Sequence, residues 1–283
     1  MSGEKAVCLL LETADGLRCG PARNGQITHL PPSGELLVAG DLHNHTRNYE
    51  RFKKLAALGE NPQRHVLLQE IIHGGALGTQ GEDNSVLMLL DALDWSRHFP
   101  GRVHFILANH DWAQAHAMAI MKDGYDLTDR FTRGLAVHFG HRAADVSNAF
   151  HNFVYSLPLA AITASGILFT HSLPGPRDID AFDVTVLRRT LVEHDYRRLG
   201  PVYQLIWGRA QTQAVLDRLS RAWWSDLFVC GHQAQEPGHG TVGDRMLIID
   251  SSHNHGVFLP VDLGRQYTLA DLERSVMPLA AVG

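Results

Sequence analysis

Residues 35–43 have the sequence ELLVAGDLH, an apolar run of strand length that ends directly on an acid and a histidine. Five more apolar runs of similar length follow in the chain, at 64–69, 102–107, 166–170, 226–230 and 245–249. Between the runs lie stretches with helical periodicity, at 47–58, 84–97, 112–122, 126–138, 183–193 and 210–222. Alternation of short apolar strands with helices predicts an α/β domain whose strands are buried on both faces.

Side chains that can bind a metal ion or transfer a proton follow each of the six runs. In chain order they are Asp41 with His43, Glu70, Asn109 with His110 and Asp111, His171, His232, and the segment 250–255. In open α/β sheets ligands bind beyond the carboxyl ends of the strands, so we expect these groups to meet in one crevice. A single histidine after a strand is commonly a hydrogen-bonded core residue. Six such strand ends in succession predict a metal site.

The types of side chain restrict the metal. Carboxylate, amide and imidazole donors suit Mn²⁺, Fe or Zn²⁺, whereas a thiolate site would need cysteines. Six ligands exceed the three that a catalytic zinc ion usually takes. Two ions about 3.5–4 Å apart, sharing a carboxylate, are a common arrangement for in-line displacement at phosphorus. We therefore expect two divalent ions, with manganese favoured and iron or zinc as alternatives.

Composition excludes several classes of protein. The chain has 283 residues, 45% of them hydrophobic, which excludes a disordered protein. Lys and Arg number 25 against 30 Asp and Glu, so no basic field favours nucleic acid or an anionic membrane. Three scattered cysteines predict reduced thiols in the cytoplasm rather than a disulfide framework, and 18 histidines are the outlier. The oligomeric state is left open.

Two apolar stretches raise the question of a membrane or a secretion signal. Glu4 and Glu12 flank the first, near the N-terminus, and no cleavage site follows, so we expect a strand there rather than a signal peptide. The second, 154–172, is interrupted by Pro158 and a turn at 164–166, which predicts two buried strands joined by a tight turn. We expect a strand and turn extension at 1–33, packed on one domain at 34–283. A helical insertion is expected at about 123–152, where the strand–helix rhythm breaks.

Four segments in order resemble the sequence blocks of the calcineurin-like metallophosphoesterases. GDLHN at 40–44 resembles the GDxHG block, and NHD at 109–111 resembles the GNH[DE] block, with Ala108 in place of the glycine. LFTHSLP at 168–174 is similar to the histidine block of the phosphoprotein phosphatase (serine/threonine phosphatase) branch, and FVCGHQ at 228–233 to the late GH block. The match extends from about residue 36 to 262. The resemblance implies a four-layer α/β/β/α sandwich.

The resemblance also implies a role for each matching residue. The implied ligands are Asp41 and His43 for the first ion, Glu70 as the bridge, and Asn109, His171 and His232 for the second ion. His110 would protonate the leaving oxygen, and Asp111 would orient the His110 imidazole and keep it cationic. A carboxylate at the start of a helix is also an ordinary capping group, so Asp111 is expected in either role or in both.

The second sequence block departs from the family. Where the family has GDxxDRG, residues 69–75 have the sequence QEIIHGG. Glu70 is one methylene longer than the family aspartate, His73 replaces the second acid, and Gly74 replaces the arginine that clamps phosphate. A neutral imidazole replaces bidentate guanidinium contacts only in part. Substrate contacts are therefore expected from His45 and Arg209, and His73 is expected to reach either the substrate or the residues that surround the metal ligands. A charge such as Arg209 beside a helix is also commonly just solvated. In the loop 250–255, His253 and His255 are not expected to be ligands.

The predicted function is divalent-metal-dependent hydrolysis of a phosphate monoester, carried by a phosphorylated small molecule or a phosphoprotein. A metal-bound hydroxide would attack phosphorus while His110 protonates the departing oxygen. One alternative is hydrolysis of a dinucleoside polyphosphate or another pyrophosphate. The other is a catalytically silent, metal-stabilised scaffold that binds phosphate or a protein. Retention of His110, Asp111 and all six ligand positions favours an enzyme.

Overall fold

The computed structural model describes residues 1–282, and two β-sheets packed face to face lie at its centre. The helices are α1 Gly3–Cys19, α2 Thr46–Ala56, α3 Ser85–His98, α4 Asn109–Ala115, α5 Leu127–Phe139, α6 Ala143–Val154, α7 Pro201–Trp207, α8 Gln213–Trp223 and α9 Leu269–Ser275, with 3₁₀ turns at Gly140–Arg142, Glu193–Tyr196 and Leu279–Ala281. The strands are β1 Arg23–Asn24, β2 Ile27–His29, β3 Glu35–Asp41, β4 Arg64–Gln69, β5 Val103–Phe105, β6 Met121–Lys122, β7 Tyr125–Asp126, β8 Ala160–Ile162, β9 Ile167–Thr170, β10 Leu227–Cys230, β11 His239–Val242, β12 Met246–Ile249, β13 Val257–Asp262 and β14 Met277–Pro278.

The strand order brings the ligand-bearing strand ends to one edge of each sheet. One sheet has the order β1-β2-β8-β9-β10-β12-β11 and the other β14-β13-β3-β4-β5, while β6 and β7 form a separate hairpin. Strands β3, β4 and β5 are parallel, as are β9, β10 and β12. Parallel strands end at the same edge, so the residues that follow them are neighbours.

Alternating side chains divide the molecule into four layers. Leu36 and Val38 of β3 lie in the core between the two sheets, together with Phe169 of β9. Leu37 and Ala39, which alternate with them, lie in a second core that contains the buried faces of the helices. Because successive side chains of a strand point to opposite faces, both faces of each sheet are covered. The predicted α/β/β/α sandwich is confirmed.

The six predicted strands are present, and helices α2, α3, α5 and α8 are close to their predicted positions. Helix α4 stops at Ala115, and the predicted helix at 183–193 is wrong. The Asp183 carboxylate accepts hydrogen bonds from the backbone N–H and hydroxyl of Thr185 and pairs with Arg189, which also pairs with Asp195. Short side-chain contacts of this kind stabilise turns in preference to helix.

The N-terminal segment is a helix, so the predicted strand there is wrong. The Ser2 hydroxyl accepts from the Lys5 N–H at the start of α1, and the buried residues Ala6, Leu9 and Leu10 recur at helical spacing. After the helix, residues 23–29 form the short antiparallel strands β1 and β2 with a turn between them, and β2 pairs in parallel with β8 and thereby extends the larger sheet. Only the boundary at residue 33 stays a prediction.

The other apolar stretch forms two strands as predicted, because β8 and β9 are antiparallel neighbours. The insertion predicted at 123–152 contains α5 and most of α6. None of the helices in residues 1–282 combines the length and apolarity that crossing a bilayer requires.

The two sheets meet where β3 and β12 end. Asp41 and Asp250 form an isolated parallel bridge, in which the Ser251 N–H donates to the Asp41 carbonyl at 3.1 Å. The Ser251 hydroxyl accepts from the Gly40 N–H at 2.8 Å. A Cβ at Gly40 would collide with the backbone of Ile249, so the close approach requires glycine. This junction fixes the position of Asp41 relative to the strand ends of the other sheet.

Candidate metal centre

The structure brings all six predicted ligands together at this junction. Five of them are buried, and His43 is half-buried; the six are Asp41, His43, Glu70, Asn109, His171 and His232. Donor atoms form two groups, and within each group all the atoms lie within 4.8 Å of one another. One group consists of His43, Glu70 and His110, and the other of Asp41, Glu70 and His171. Glu70 belongs to both groups, which is the position that a bridging carboxylate would have.

Hydrogen bonds to backbone groups hold the acidic side chains in place. The His232 N–H donates to both carboxylate oxygens of Asp41, at 3.1 and 2.9 Å. The His110 N–H donates to Glu70 Oε1 at 3.1 Å. Gly231 lies so close to Asp41 that a Cβ would collide with Oδ1. In the late GH block, Gly231 therefore allows the backbone to approach Asp41 closely, and His232 supplies the imidazole.

The amide of Gln69 fixes which nitrogen of His171 faces the centre. Gln69 Nε2 donates to the Ala39 carbonyl at 3.4 Å, so its Oε1 accepts from His171 Nδ1 at 2.9 Å. A neutral imidazole has one N–H, so His171 Nε2 carries the lone pair. Gln69 was not among the predicted site residues, although a buried amide at the end of an apolar strand is a signal that could have marked it.

His43 is oriented in the same way by backbone. Its Nδ1 lies 3.2 Å from the Ile72 carbonyl and 3.1 Å from the His73 carbonyl. These oxygens can only accept, so Nδ1 carries the proton and Nε2 is free to bind a cation. Carbonyl and carboxylate partners of this kind are the usual second contacts of metal-binding histidines.

The donor set fits a cation. The lone pair of His171 Nε2 lies 2.6 Å from Asn109 Oδ1 and 2.9 Å from Glu70 Oε2, and Asn109 Oδ1 lies 2.9 Å from His232 Nδ1. His171 Nε2 and the two oxygens that face it are all acceptors, and acceptor atoms at these distances repel one another unless a cation or a proton lies between them. Nitrogen and oxygen donors without a thiolate suit borderline and hard divalent ions.

Burial sets the charge states of these groups in the metal-free protein. Burial raises the pKa of Glu70 to about 7, and burial together with the Glu70 charge raises the pKa of Asp41 well above its usual range. Burial lowers the pKa of His171 to about 3, so its imidazole is neutral near pH 7. Neutral imidazoles and carboxylates that are poorly solvated both favour a bound cation.

Binding of Mn²⁺ to metal-free protein is expected to weaken as the pH falls below 7. Above about pH 7 Glu70 is ionised, whereas below it the metal must displace a proton, so the Kd should rise about tenfold for each pH unit. Calorimetric titrations in two buffers of different ionisation enthalpy would measure the released protons. We expect at least one proton per chain at pH 6 and fewer at pH 8. A Kd for Mn²⁺ that is independent of pH over this range would contradict the assignment of Glu70 as a metal ligand.

Strained backbone marks the same centre. The site residues with positive φ are His43 (42°), Asn44 (53°), Glu70 (46°), His73 (64°) and His232 (65°). Residues other than glycine rarely adopt this left-handed conformation, and it costs on the order of 1–3 kcal/mol each. Such residues cluster where a backbone is shaped for binding or catalysis rather than for stability.

His110 lies beside the centre, but its predicted partner differs. The Asp111 carboxylate accepts from the Ala108 N–H at 3.2 Å, which supports the start of α4, and no hydrogen bond joins it to the His110 ring among residues 1–282. The predicted orienting contact from Asp111 is therefore wrong, because the carboxylate turns back to the helix terminus. His73 contacts the His110 imidazole instead, with their Nδ1 atoms 3.1 Å apart.

Two of the three predicted substrate residues have other contacts. His73 is buried, and both its ring nitrogens are used, by His110 at 3.1 Å and by Gln114 Oε1 at 2.8 Å, so neither is free for substrate. The predicted direct contact of His73 with substrate is therefore not supported. His45 is the N-cap of α2, and its Nδ1 accepts from the Asn48 N–H at 3.2 Å.

Arg209 is the third predicted substrate residue, and its contact with substrate stays a prediction. Its exposed side chain follows α7, and its guanidinium charge opposes the rise in the pKa of both Asp41 and Glu70. No arginine fits at position 74, because a Cβ at Gly74 would collide with the His43 carbonyl. The loop histidines His253 and His255 contact backbone carbonyls and, as expected, belong to neither group of possible ligands.

Comparisons with known proteins agree with this geometry. A family model described as calcineurin-like phosphoesterase matches residues 35–257. A protein serine/threonine phosphatase from Saccharomyces cerevisiae, described as similar to human phosphatase PP5, superposes with a TM-score of 0.70 at 15% identity, over 99% of this chain and 94% of that one. A cold-active protein-tyrosine phosphatase of a psychrophilic Shewanella gives a TM-score of 0.53 at 14% identity, over 90% and 82%. No curated protein matches the sequence. At these identities the solved structures show the fold.

Proposed function

The chain belongs to the calcineurin-like phosphoesterase family, and from this premise we propose that it hydrolyses phosphate monoesters with two divalent ions bound at the centre. The position of Glu70, shared by both groups of possible ligands, carries the proposal. The family resemblance would place Asp41 and His43 on one ion together with Glu70, whereas the two geometric groups pair Asp41 with His171 and His43 with His110. The other ion would be held by Glu70 and by the converging donor atoms of Asn109, His171 and His232.

Two divalent ions at this position would supply Lewis acidity and a water molecule of lowered pKa. The protein's own residues account for the other steps. Arg209, whose charge influences the pKa of both Asp41 and Glu70, is the exposed cation proposed to bind phosphoryl oxygens. His110 would give a proton to the oxygen of the leaving group as the P–O bond breaks.

Manganese is the proposed metal, with iron or zinc as alternatives, because the six donors are oxygen and nitrogen atoms. Cys230 is the cysteine nearest in sequence to a proposed ligand, but burial raises the pKa of its thiol far above the physiological range. The substrate is proposed to be a phosphorylated small molecule or a phosphoprotein. The cytoplasmic location, inferred from the scattered cysteines, remains a prediction.

A substrate panel tests the proposed function. Protein stripped with a chelator and reloaded with Mn²⁺ would be assayed on phenyl phosphate, a phosphoserine peptide, a dinucleoside tetraphosphate and a phosphodiester. We expect metal-dependent turnover, with the monoesters preferred. Preference for the dinucleoside tetraphosphate would show that the bond hydrolysed is a pyrophosphate bond rather than a monoester bond. No turnover with two ions bound would favour the silent scaffold.

Arg209→Ala is expected to raise KM for phenyl phosphate by about 10- to 100-fold, since charge-assisted hydrogen bonds contribute about 1.5–3 kcal/mol. Metal content should not change, because Arg209 belongs to neither ligand group. Steady-state kinetics would measure the effect, with Arg221→Ala on an exposed face of α8 as the matched control. Equal kcat/KM in Arg209→Ala and the parent protein would show that Arg209 is only a solvated charge.

A further inference from the structure

A chain of four polar side chains connects the helical insertion to His110. Thr132 of α5 contacts Gln114 of α4, with 3.3 Å between Oγ1 and Nε2. Gln114 Oε1 lies 2.8 Å from His73 Nε2, and His73 Nδ1 lies 3.1 Å from His110 Nδ1. The proposed chemistry uses His110 alone, so the other three side chains need a separate explanation.

The direction of the hydrogen bonds is fixed at the Thr132 end. The Thr132 hydroxyl donates to the Thr128 carbonyl, one helical turn earlier, at 2.9 Å. Its oxygen is then available only as an acceptor, so the Gln114 amide presents its NH₂ group to Thr132. The amide oxygen of Gln114 must therefore face His73.

The orientation of the Gln114 amide determines which nitrogen of His73 carries the proton. Because Gln114 Oε1 only accepts, His73 Nε2 must carry the proton. A neutral imidazole has one N–H, which leaves His73 Nδ1 as an acceptor. The His110 Nδ1 opposite it must then donate. Only Nε2 of His110 remains free to exchange a proton.

We propose that Gln114 and Thr132 are positioning residues that set the tautomer of His73 and thereby hold His110 with its Nδ1–H toward the protein and its Nε2 toward the leaving group. The role given to His110 rests on the proposed function. A carboxylate at position 73, as in the family block, accepts at either oxygen. An imidazole there needs a partner that selects its tautomer, since the wrong one would set two N–H groups against each other.

The chain orients His110 and transfers no proton. In its acid form His110 carries a proton on each ring nitrogen. As the bond from phosphorus to the leaving oxygen breaks, that oxygen takes the Nε2 proton, and the neutral imidazole that is left keeps its Nδ1–H bond to His73. Water then returns a proton to Nε2. An amide cannot pass a proton onward at neutral pH, so Gln114 acts only through hydrogen-bond direction.

Substitutions of Gln114 distinguish a role in orienting the His73 and His110 rings from a role in stabilising the fold. Gln114→Met keeps the length of the side chain but removes the acceptor, and one hydrogen bond corresponds to about a tenfold loss of kcat. We expect that loss on phenyl phosphate, a smaller loss on p-nitrophenyl phosphate, and unchanged KM and Mn²⁺ content. Gln114→Glu keeps an acceptor oxygen and should restore most of kcat. In a His73→Asp background, Gln114→Met should have no further effect, because the carboxylate needs no tautomer.

A matched pair of threonines controls for the helix itself. Thr132→Val should lower kcat about two- to threefold, because Gln114 then loses only the partner that orients its amide. Thr13 of α1 makes the same hydroxyl-to-carbonyl bond one turn back, to Leu9 at 2.8 Å, far from the chain of side chains. Thr13→Val should leave kcat unchanged. Equal losses in both valine variants would overturn the proposal.

The tautomers can be read without activity. In Zn²⁺-loaded protein with ¹⁵N-labelled histidine, nitrogen chemical shifts should show His73 protonated at Nε2 and His110 protonated at Nδ1. His73 protonated at Nδ1 would overturn the inference even in an active enzyme. The expected tautomers in a protein inactive on every ester would support the hydrogen-bond order and contradict the proposed function instead.

Discussion

His110→Ala is expected to lower kcat on phenyl phosphate by about 10²- to 10⁴-fold, the usual contribution of a positioned general acid. The His110 ring lies beside His43 and His73, with centroids 4.7 and 5.1 Å away, and its backbone N–H donates to Glu70. Two ions should therefore remain bound. The loss should shrink on p-nitrophenyl phosphate, whose leaving group needs little protonation.

His98, an exposed histidine of α3, provides the control for the substitution of His110. His98→Ala on an exposed face of α3 should change neither kcat nor metal content. His110 is also a member of one group of possible ligands, with His43 and Glu70. Loss of an ion from His110→Ala would make the residue a ligand and remove its role as the acid.

Glu70→Ala is expected to release at least one metal ion and to abolish turnover. Glu70 is the only carboxylate common to the two groups of possible ligands in the described chain, so without it the repulsion between two dications is poorly offset. Metal content after gel filtration would measure the loss, with the exposed Glu60→Ala as control. Two fully occupied ions in Glu70→Ala would contradict the bridging role.

Glu70→Asp should keep both ions, because the carboxylate remains and aspartate adopts the left-handed conformation at φ 46° more readily than most residues. Restoring the family arginine as well, with Gly74→Arg, should fail to raise kcat/KM. The His43 carbonyl occupies the space that a Cβ at position 74 requires, so the backbone would have to move. Higher kcat/KM in the double variant would show that this contact yields readily.

The strands and the meeting of the six candidate ligands at one place were predictable because both follow from local sequence. Buried strands are short apolar runs, and the residues directly after them lie at the same sheet edge. The N-terminal helix was missed because Cys8 and Leu11, which are exposed, complete an apolar run that resembles a strand. Only the spacing of the buried residues Ala6, Leu9 and Leu10 shows the helical period.

Contacts between distant residues could not be predicted from the sequence. The replacement of the second acid by His73 was evident, but its use depends on Gln114, which is brought near only by folding. The turn at 183–193 likewise depends on the bonds from Arg189 to Asp183 and Asp195. Hydrogen-bond direction is a property of the folded network, so the sequence shows which side chains are present but not which atoms donate.

Titration of chelator-stripped protein with Mn²⁺, followed by the initial rate on phenyl phosphate, tests the binuclear centre most directly. Because Glu70 is shared by two ligand groups, we expect the rate to rise until two equivalents per chain are bound and then to stay constant. A constant rate reached at one equivalent, or turnover in the fully stripped protein, would contradict a reaction that depends on two metal ions.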